Sequence, residues 1–421
     1  MKHLLVLGAG TAGTTLVNKL SKKLSADEWV ITVVDPRSEH HYQPGYLFIP
    51  FGGYTPSQVT RPQADLIPQG VRWVTKAVDQ VIPEENMVRL EDGSTLEYDQ
   101  LLIATGTTPR PDQTPGMNGP EWRKSIFDFY TLEGATALRD ALARWEGGRL
   151  VVHITEMPIK CPPAPLEFTF LADAHFTDRG MRDRVEIVFV TPLDGAFTKP
   201  IASAQLGGML EERDISVETD FYIEQIDNDK KALVSYDERE VPFDLLVTVP
   251  LNMGADCIAK SGLGDELNYV PVDPGTLLSK DWDNIFAIGD ASDIPTSKAG
   301  SVAHFAVDVF AENFLHHIKG EEMPVRFDGH ANCFVESGDG KAMLIDFNYD
   351  TQPLPGKYPV PVVGPFSLLK ETGVNHLGKL AFKWMYWNAL LPGRNIPLPA
   401  LMSMAGKKVP DNDQTRKEAP L

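Results

Sequence analysis

The sequence predicts an α/β protein with two Rossmann-like dinucleotide-binding domains, the second without a nucleotide glycine motif, followed by a C-terminal domain with an amphipathic helix. Three observations predict it. The apolar strand His3 to Leu7 runs straight into Gly8-Ala9-Gly10-Thr11-Ala12-Gly13 and a helix through Leu20. A second strand, Leu150 to Thr155, runs into a glycine-free turn holding Cys161, and a helix follows from Ala164. From Thr372 to Pro410 there is no acidic residue, whereas Lys379, Lys383, Arg394, Lys407 and Lys408 are basic.

The first unit is a complete G-x-G-x-x-G between strand and helix. Gly8 permits the tight turn, Gly10 the close approach of a pyrophosphate, and Gly13 the packing of helix on strand. Trp29 to Val34 is the next strand and ends in Asp35, placed to accept hydrogen bonds from ribose hydroxyls. Gly8, Gly10, Thr11, Ala12 and Gly13, with Asp35, Pro36 and Arg37, are therefore the first set of nucleotide-site candidates. Met87 to Leu90 and Tyr98 to Ile103 read as strands, the latter ending in Ala104-Thr105-Gly106. Asp112 to Gly119 is loop-rich and marks a boundary.

The second unit begins with a helix around Leu132 to Arg144. After Leu150 to Thr155 comes Glu156-Met157-Pro158-Ile159-Lys160-Cys161-Pro162-Pro163, where no glycine lets a pyrophosphate approach the backbone. A thiol takes that place, and the helix N-terminus is expected to lower its pKa toward thiolate. Val185 to Val190 is a strand, Ser203 to Arg213 a helix, and Val217 to Val249 strand-rich. Asn284 to Asp290 is a buried strand ending in Gly289-Asp290, and Lys298-Ala299-Gly300 opens a helix to about His317. Beyond Val325 come Cys333, a hairpin expected over Lys341 to Asn348, and the proline-rich Leu354 to Pro365. The division expected is 1–110 and 266–325 for the first dinucleotide domain, 111–265 for the second, and 326–421 for the C-terminal domain.

Composition narrows the function. The 421 residues suffice for two or three domains. A net charge of −19 opposes nucleic-acid binding, since no basic excess exists to neutralise phosphates. Three cysteines are too few for a disulfide scaffold. No metal site is expected. A strand starts within a few residues of Met1 and no apolar run of about 18 residues occurs, so neither a cleaved signal peptide nor a spanning helix is expected. Leu377, Leu380, Trp384, Trp387 and Leu391 share one face of a helix with Lys379 and Lys383 beside it. Tryptophan with lysine on such a face is the pattern of an interfacial anchor, so peripheral, monotopic membrane association through Leu377 to Leu391 is expected, on a side the sequence does not specify.

Gly8/Gly10/Gly13, Asp35, Ala104-Thr105-Gly106 and Ile288-Gly289-Asp290 stand in the order found in two-dinucleotide-domain flavoproteins. Within them, Cys161-Pro162-Pro163-Ala164-Pro165 with Cys333 resembles the sulfide:quinone oxidoreductases and the related flavin subunit of flavocytochrome c sulfide dehydrogenase. The resemblance implies FAD, with Gly289 and Asp290 on its ribityl or pyrophosphate and Lys298, Ala299 and Gly300 along its isoalloxazine. It also implies sulfide and quinone as substrates, and a Cys161/Cys333 disulfide or persulfide that passes electrons to flavin. Two departures are plain. The cysteine that follows a Ser-Ile pair in many members is Phe127 here, after Ser125-Ile126. Some flavocytochrome-type members bind FAD covalently through a cysteine near His41 to Gly45, where this chain has Gln43, so FAD is expected to be non-covalent.

Glu167, Glu336, His304 and Lys199 are acid–base candidates, and Glu167 is the best placed because the following helix carries it near Cys161. Cys257 reads as a small buried hydrophobe. The competing functions are a soluble sulfide dehydrogenase feeding a cytochrome, an NADH:quinone oxidoreductase, and a non-catalytic flavin subunit of a sulfur-handling complex. A homo-oligomer is left open.

Overall fold

The computed structural model describes residues 1–360, 363–396 and 398–409. The stretch expected as proline-rich loses Pro361 and Val362 from that description, and residues 410–421 of the expected C-terminal domain also lie outside it. The helices are α1 (Thr11–Leu20), α2 (Leu132–Arg144), α3 (Ala164–Asp178), α4 (Pro200–Glu212), α5 (Asp256–Lys260), α6 (Gly300–His317) and α7 (Gly373–Met385).

Two five-stranded parallel sheets form the frame. In the first, Lys2–Leu7 lies between Gln100–Ile103 and Trp29–Val34, with Ile285–Ala287 and Arg72–Val74 at the edges. In the second, Gly148–Ile154 lies between Leu245–Val249 and Val185–Val190, with Ile126–Phe127 and Ser216–Glu218 outside. The central strands read as continuous apolar runs because helices cover both faces. Each sheet carries a three-stranded antiparallel meander, Val78–Ile82 to Thr95–Glu97 in one and Ile223–Asp227 to Glu240–Pro242 in the other. The two units thus repeat in architecture without repeating in sequence. Thr108–Arg110 pairs antiparallel with Leu251–Met253 and ties them together.

The three glycines of the first turn separate by physical reason. Gly8 has φ +99°, and a Cβ there would lie 2.4 Å from the Ala104 carbonyl oxygen. A Cβ on Gly13 would lie 2.0 Å from the Gly8 carbonyl oxygen, so α1 packs on the strand only without a side chain. A Cβ on Gly10 would meet nothing within 4 Å, because Gly10 borders a cavity.

The C-terminal sheet corrects one expectation. Lys341–Phe347 is a single strand, and the hairpin is made with the preceding Ala331–Gly338. Asp339 and Gly340, both at positive φ, place the turn before Lys341 and not within the Lys341 to Asn348 stretch. This sheet packs on α3 through Ala331–Gly338 and on α7 through Lys341–Phe347.

The C-terminal helix also differs from expectation. α7 opens at Gly373, where the Thr372 hydroxyl accepts the Asn375 N–H at 3.1 Å. It ends in a π-turn, Tyr386–Leu390. The wider winding turns Trp387 and Leu391 into the core, where they are 5% and 0% exposed. Leu377 and Trp384 stay outside at 63% and 68%. The expected single stripe is therefore split, and the exposed apolar ridge is Val374, Leu377 and Trp384. The basic residues split as well. Lys379 and Lys407 are buried ion-pair partners of Glu167 and Asp346, which leaves Lys383, Arg394 and Lys408 toward the exterior. Asp346 also accepts from His330 Nε2 at 2.8 Å, so the returning tail is fastened by a buried ionic cluster.

Gly13→Ala should lower the unfolding free energy by about 1–3 kcal/mol through overpacking. Gly10→Ala should leave the flavin-free protein folded and reduce only its flavin occupancy. Chemical denaturation and the flavin-to-protein absorbance ratio check the pair.

Candidate active site

A cavity of about 410 Å³ opens at the carboxyl ends of the first sheet's strands, where open α/β sheets place their ligands. Gly10, Thr11 and Ala12 line it from the start of α1, and Ala299 and Gly300 line it from the start of α6. Neither helix has a side-chain cap on its N-terminus, so both present unpaired N–H groups to the cavity. Two such ends form an anion site suited to a pyrophosphate. Ala104, Thr105 and Gly106 lie alongside, and the buried Thr105 hydroxyl has no protein partner. Gly289 and Asp290 complete that wall. Burial raises Asp290 above the usual carboxylate range, against the pull of Lys298 and Lys160. These residues fit a dinucleotide cofactor.

Asp35, Pro36 and Arg37 sit at one end. Arg37 borders the cavity, while Asp35 lies behind it and Pro36 is exposed. Asp35 accepts the Ala9 N–H at 2.8 Å, and the Arg37 guanidinium grips both its oxygens at 3.0 and 2.7 Å. Burial pushes this carboxyl up, but the Arg37 bonds outweigh burial and hold it below its ordinary value.

At the other end stands the Cys161 turn. Cys161 has φ +53°, its N–H donates to the Lys298 carbonyl at 2.6 Å, and its own carbonyl accepts the Ala164 N–H at 2.8 Å. The turn is thereby clamped to the segment that opens α6. The Lys298 ammonium points away from the cavity, donating to the carbonyls of Asp290 and Ser292 at 3.1 and 2.9 Å. Cys333 lies on Ala331–Gly338, the strand packed on α3, with its sulfur 4.0 Å from the Ser301 hydroxyl. Each thiol feels the charges of Glu167 and Lys379, and Cys161 also feels Cys333. Both thiols are free.

The expectation of an acidified Cys161 is overturned. Burial, then the Glu167 carboxylate and Cys333, push its thiol well above the ordinary value, with Lys379 only partly opposing. Cys161 precedes the first helical residue by three positions, and the helix dipole acts mainly within its own first turn. Burial likewise pushes Cys333 up to about 11.

Glu167 is 1% exposed and lines the cavity. Its Oε1 accepts the Glu336 N–H at 2.7 Å and an N–H from the Lys379 ammonium, which also donates to the Phe334 carbonyl at 3.0 Å. Burial opposes the charge on Lys379, but Glu167 and Glu336 more than compensate and keep it protonated. Glu336 is bound to His376 on α7. The other candidates stand apart: His304 is buried with Asp308 at 4.0 Å, Lys199 lies over the Phe347 ring, and Cys257 is buried in the core.

Sequence reasoning missed Lys379 as a site residue, because helical spacing alone placed it beside a lipid-facing stripe. It also missed Tyr386 and His40, which no local motif marks. His40 Nδ1 faces two acceptors, Gln63 Oε1 at 3.0 Å and the Ala9 carbonyl at 3.2 Å, so Nδ1 carries the proton. Nε2 then accepts from the Tyr386 hydroxyl at 2.6 Å, and that oxygen accepts from Thr11 at 2.8 Å. α7 is thus wired to the phosphate-binding end of α1.

The two uncapped helix ends, the open Gly10 and a cysteine turn at the far end of one cavity define a flavin-dependent oxidoreductase of the two-dinucleotide-domain class. Residues 2–153 match the family described as pyridine nucleotide-disulphide oxidoreductase. Over most of its length the chain is, further, similar to the sulfide:quinone oxidoreductases. It is 27% identical to the mitochondrial sulfide:quinone oxidoreductase of Mus musculus over 93% of this chain and 86% of that protein. The fold matches the sulfide:quinone oxidoreductase structure from Aquifex aeolicus with TM-score 0.77 at 21% identity, covering 94% of this chain and 92% of that one. Similarity to a type II NADH:quinone oxidoreductase of Staphylococcus haemolyticus, 32% identical, spans only 32% of this chain and 33% of that protein.

The His40 network carries a pH signature. Burial lowers the His40 pKa to about 4, below the ordinary 6.5. Between these values the unfolded chain binds more protons, so this stability is full above pH 6.5 and is lost as pH falls toward 4. The loss is about 3 kcal/mol at most. His40→Gln should flatten the dependence of unfolding free energy on pH in that window, as urea titrations at a series of pH values would show.

Proposed function

We propose that the protein oxidises sulfide at Cys161 and Cys333 and passes two electrons through a non-covalently held FAD to a membrane quinone. The observation that carries this reading is that Cys161, Glu167 and Lys379 line one end of the cavity, with Cys333 behind them on the strand that packs on α3 and close enough to interact with the same charges. In the turn where a nicotinamide cofactor would need glycine, Cys161 itself stands, with its backbone N–H tied to Lys298.

FAD would be held by the Gly8 to Gly13 turn, Asp35 to Arg37, Ala104 to Gly106, Gly289 and Asp290, and Ala299 and Gly300, with Lys298 fixing that segment from behind. When bound it supplies a two-electron acceptor beside the thiols. In the oxidised protein the cysteines form a disulfide. HS⁻ displaces one sulfur, giving a persulfide on one cysteine and a thiolate on the other, with the proton of HS⁻ kept on the persulfide. Lys379 stabilises that thiolate, and Glu167 holds Lys379 in place. Because burial favours the neutral thiols, the pair is a weak nucleophile until exchange generates the thiolate next to a cation.

Quinone chemistry places the protein at a bilayer. The exposed ridge of Val374, Leu377 and Trp384, with Lys383 beside it, is the surface proposed to enter the interface. The described residues contain no helix long and apolar enough to cross a membrane.

Sulfide should bleach the flavin under anaerobic conditions and NADH should not; rapid bleaching by NADH would transfer the chain to the NADH:quinone class. Cys161→Ser and Cys333→Ser should each abolish sulfide bleaching with FAD retained, whereas Cys257→Ser should be near neutral. Acid precipitation should release the yellow colour into the supernatant, and flavin remaining on the pellet would contradict non-covalent binding. Leu377→Glu with Trp384→Glu should release the protein from anionic liposomes without slowing sulfide bleaching. Continued liposome binding by the folded double variant would remove α7 from the interface.

A further inference from the structure

We infer that Arg61 and Lys383 form a binding site for the phosphate of an anionic phospholipid, set at the edge of the exposed ridge of α7. The inference rests on the bilayer reading of that ridge and deepens it by naming the lipid.

Two cations from separate segments meet here, each seated on an aromatic ring. The Arg61 guanidinium, from strand Thr60–Pro62, lies 4.6 Å from the centre of the Trp387 ring. The Lys383 ammonium lies 3.9 Å from the centre of the Tyr54 ring. Lys383 precedes Trp387 by four positions, about one helical turn, so the two seats are neighbours. Both seats are held from beneath. Trp387 is 5% exposed and packs on Tyr386, His40 and Tyr42, with ring centres 5.2, 5.6 and 6.4 Å away. Tyr54 packs edge-on against Phe48 at 5.4 Å.

A ring face attracts a cation through its quadrupole but leaves the full charge in place. In a chain with 58 acidic and 39 basic residues, a carboxylate is the expected partner of a surface cation. Among the described residues this pair has none. Glu39, on the strand paired with that of Arg61, lies 4.0 Å from His41 instead. Burial lowers the Lys383 pKa and the Arg61 charge lowers it further, so the charge acting on this ammonium is a second cation. Adjacent cations on fixed seats, without a counterion, suit a phosphate, which Arg61 can grip by its planar fork and Lys383 as a point charge.

The ridge selects a lipid over a free anion. Leu377 and Trp384, at 63% and 68% exposed, lie on the same helix as Lys383. Free phosphate gains nothing from them, whereas a phospholipid offers acyl chains to the ridge and its phosphate to the cations. A zwitterionic headgroup brings its own ammonium, which competes with Arg61 and Lys383, so the site favours headgroups of net negative charge. The net charge of −19 opposes an anionic surface, but salt screens charges beyond about 8 Å. The local pair therefore decides which face docks.

Binding of the FAD-loaded protein to phosphatidylcholine vesicles, with and without phosphatidylglycerol, tests the site. Wild type should bind the anionic vesicles more tightly. Arg61→Gln with Lys383→Gln should lose about twentyfold of that affinity, from about fivefold per cation. Its binding to pure phosphatidylcholine and its bleaching by sulfide should match wild type, and Lys383→Arg should keep the preference. Lys230→Gln with Lys231→Gln removes the same charge from the meander of the second sheet and should bind like wild type. Equal wild-type affinity for the two vesicle types overturns the lipid site while leaving the ridge in the bilayer. Undiminished binding of the Arg61/Lys383 double variant to anionic vesicles overturns it too, as does an equal loss in the Lys230/Lys231 variant. Displacement by inorganic phosphate beyond that by chloride at equal ionic strength marks a free-anion site and overturns the lipid assignment. Binding to neither vesicle type removes the ridge from the bilayer, and the lipid site falls with it.

Discussion

The buried ion pair between Lys379 and Glu167 is the interaction on which the cysteine end of the cavity depends. It joins α7 to α3 across the strand that carries Cys333, so three segments far apart in sequence meet at one carboxylate. Removing one partner of a buried pair costs about 3–5 kcal/mol, because the other charge is left without compensation. The desolvation that makes the pair marginal for stability also strengthens its field on the two thiols. Lys379 draws the thiol pKa values down, Glu167 and burial push them up, and burial prevails. The pair thus positions a cation beside both thiols, where it favours a thiolate over the neutral form.

The helix that supplies Lys379 does more than close the cavity. Its π-turn carries Tyr386 into a chain of hydrogen bonds that runs through His40 to Ala9 and Gln63, while the same oxygen reaches Thr11 in the first turn of α1. Trp387 packs beside this network, against Tyr42 and under the Arg61 guanidinium. The C-terminal segment is therefore integral to both ends of the cofactor cavity, and only the outer ridge of α7 remains available to a bilayer.

The two parallel sheets illustrate how one architecture is turned to two uses. In the first, the strand–helix turn must let backbone approach a ligand, and three glycines serve three distinct steric needs. In the second, the equivalent turn is held by the Cys161 N–H on the Lys298 carbonyl and is occupied by protein. The fold is shared, whereas the chemistry lies in the residues that line the turns.

Local signals in the sequence were sufficient for the two parallel sheets, for the roles of Gly8, Gly10 and Gly13, and for the glycine-free turn at Cys161. Each depends on neighbours within a few positions, where apolar periodicity and steric need are written directly in residue type. The same signals selected Glu167 because it lies on the helix that follows Cys161. Tertiary structure decided the rest. The upward shift of both thiol pKa values arises from burial and from Glu167, and Lys379, which reaches the site from α7, only partly opposes it. The single stripe expected over Leu377 to Leu391 is divided by a π-turn, and Lys379 exchanges a solvent face for a buried carboxylate. Helical spacing states which residues share a face, but not what that face meets; long-range packing supplies the partner, and with it the charge.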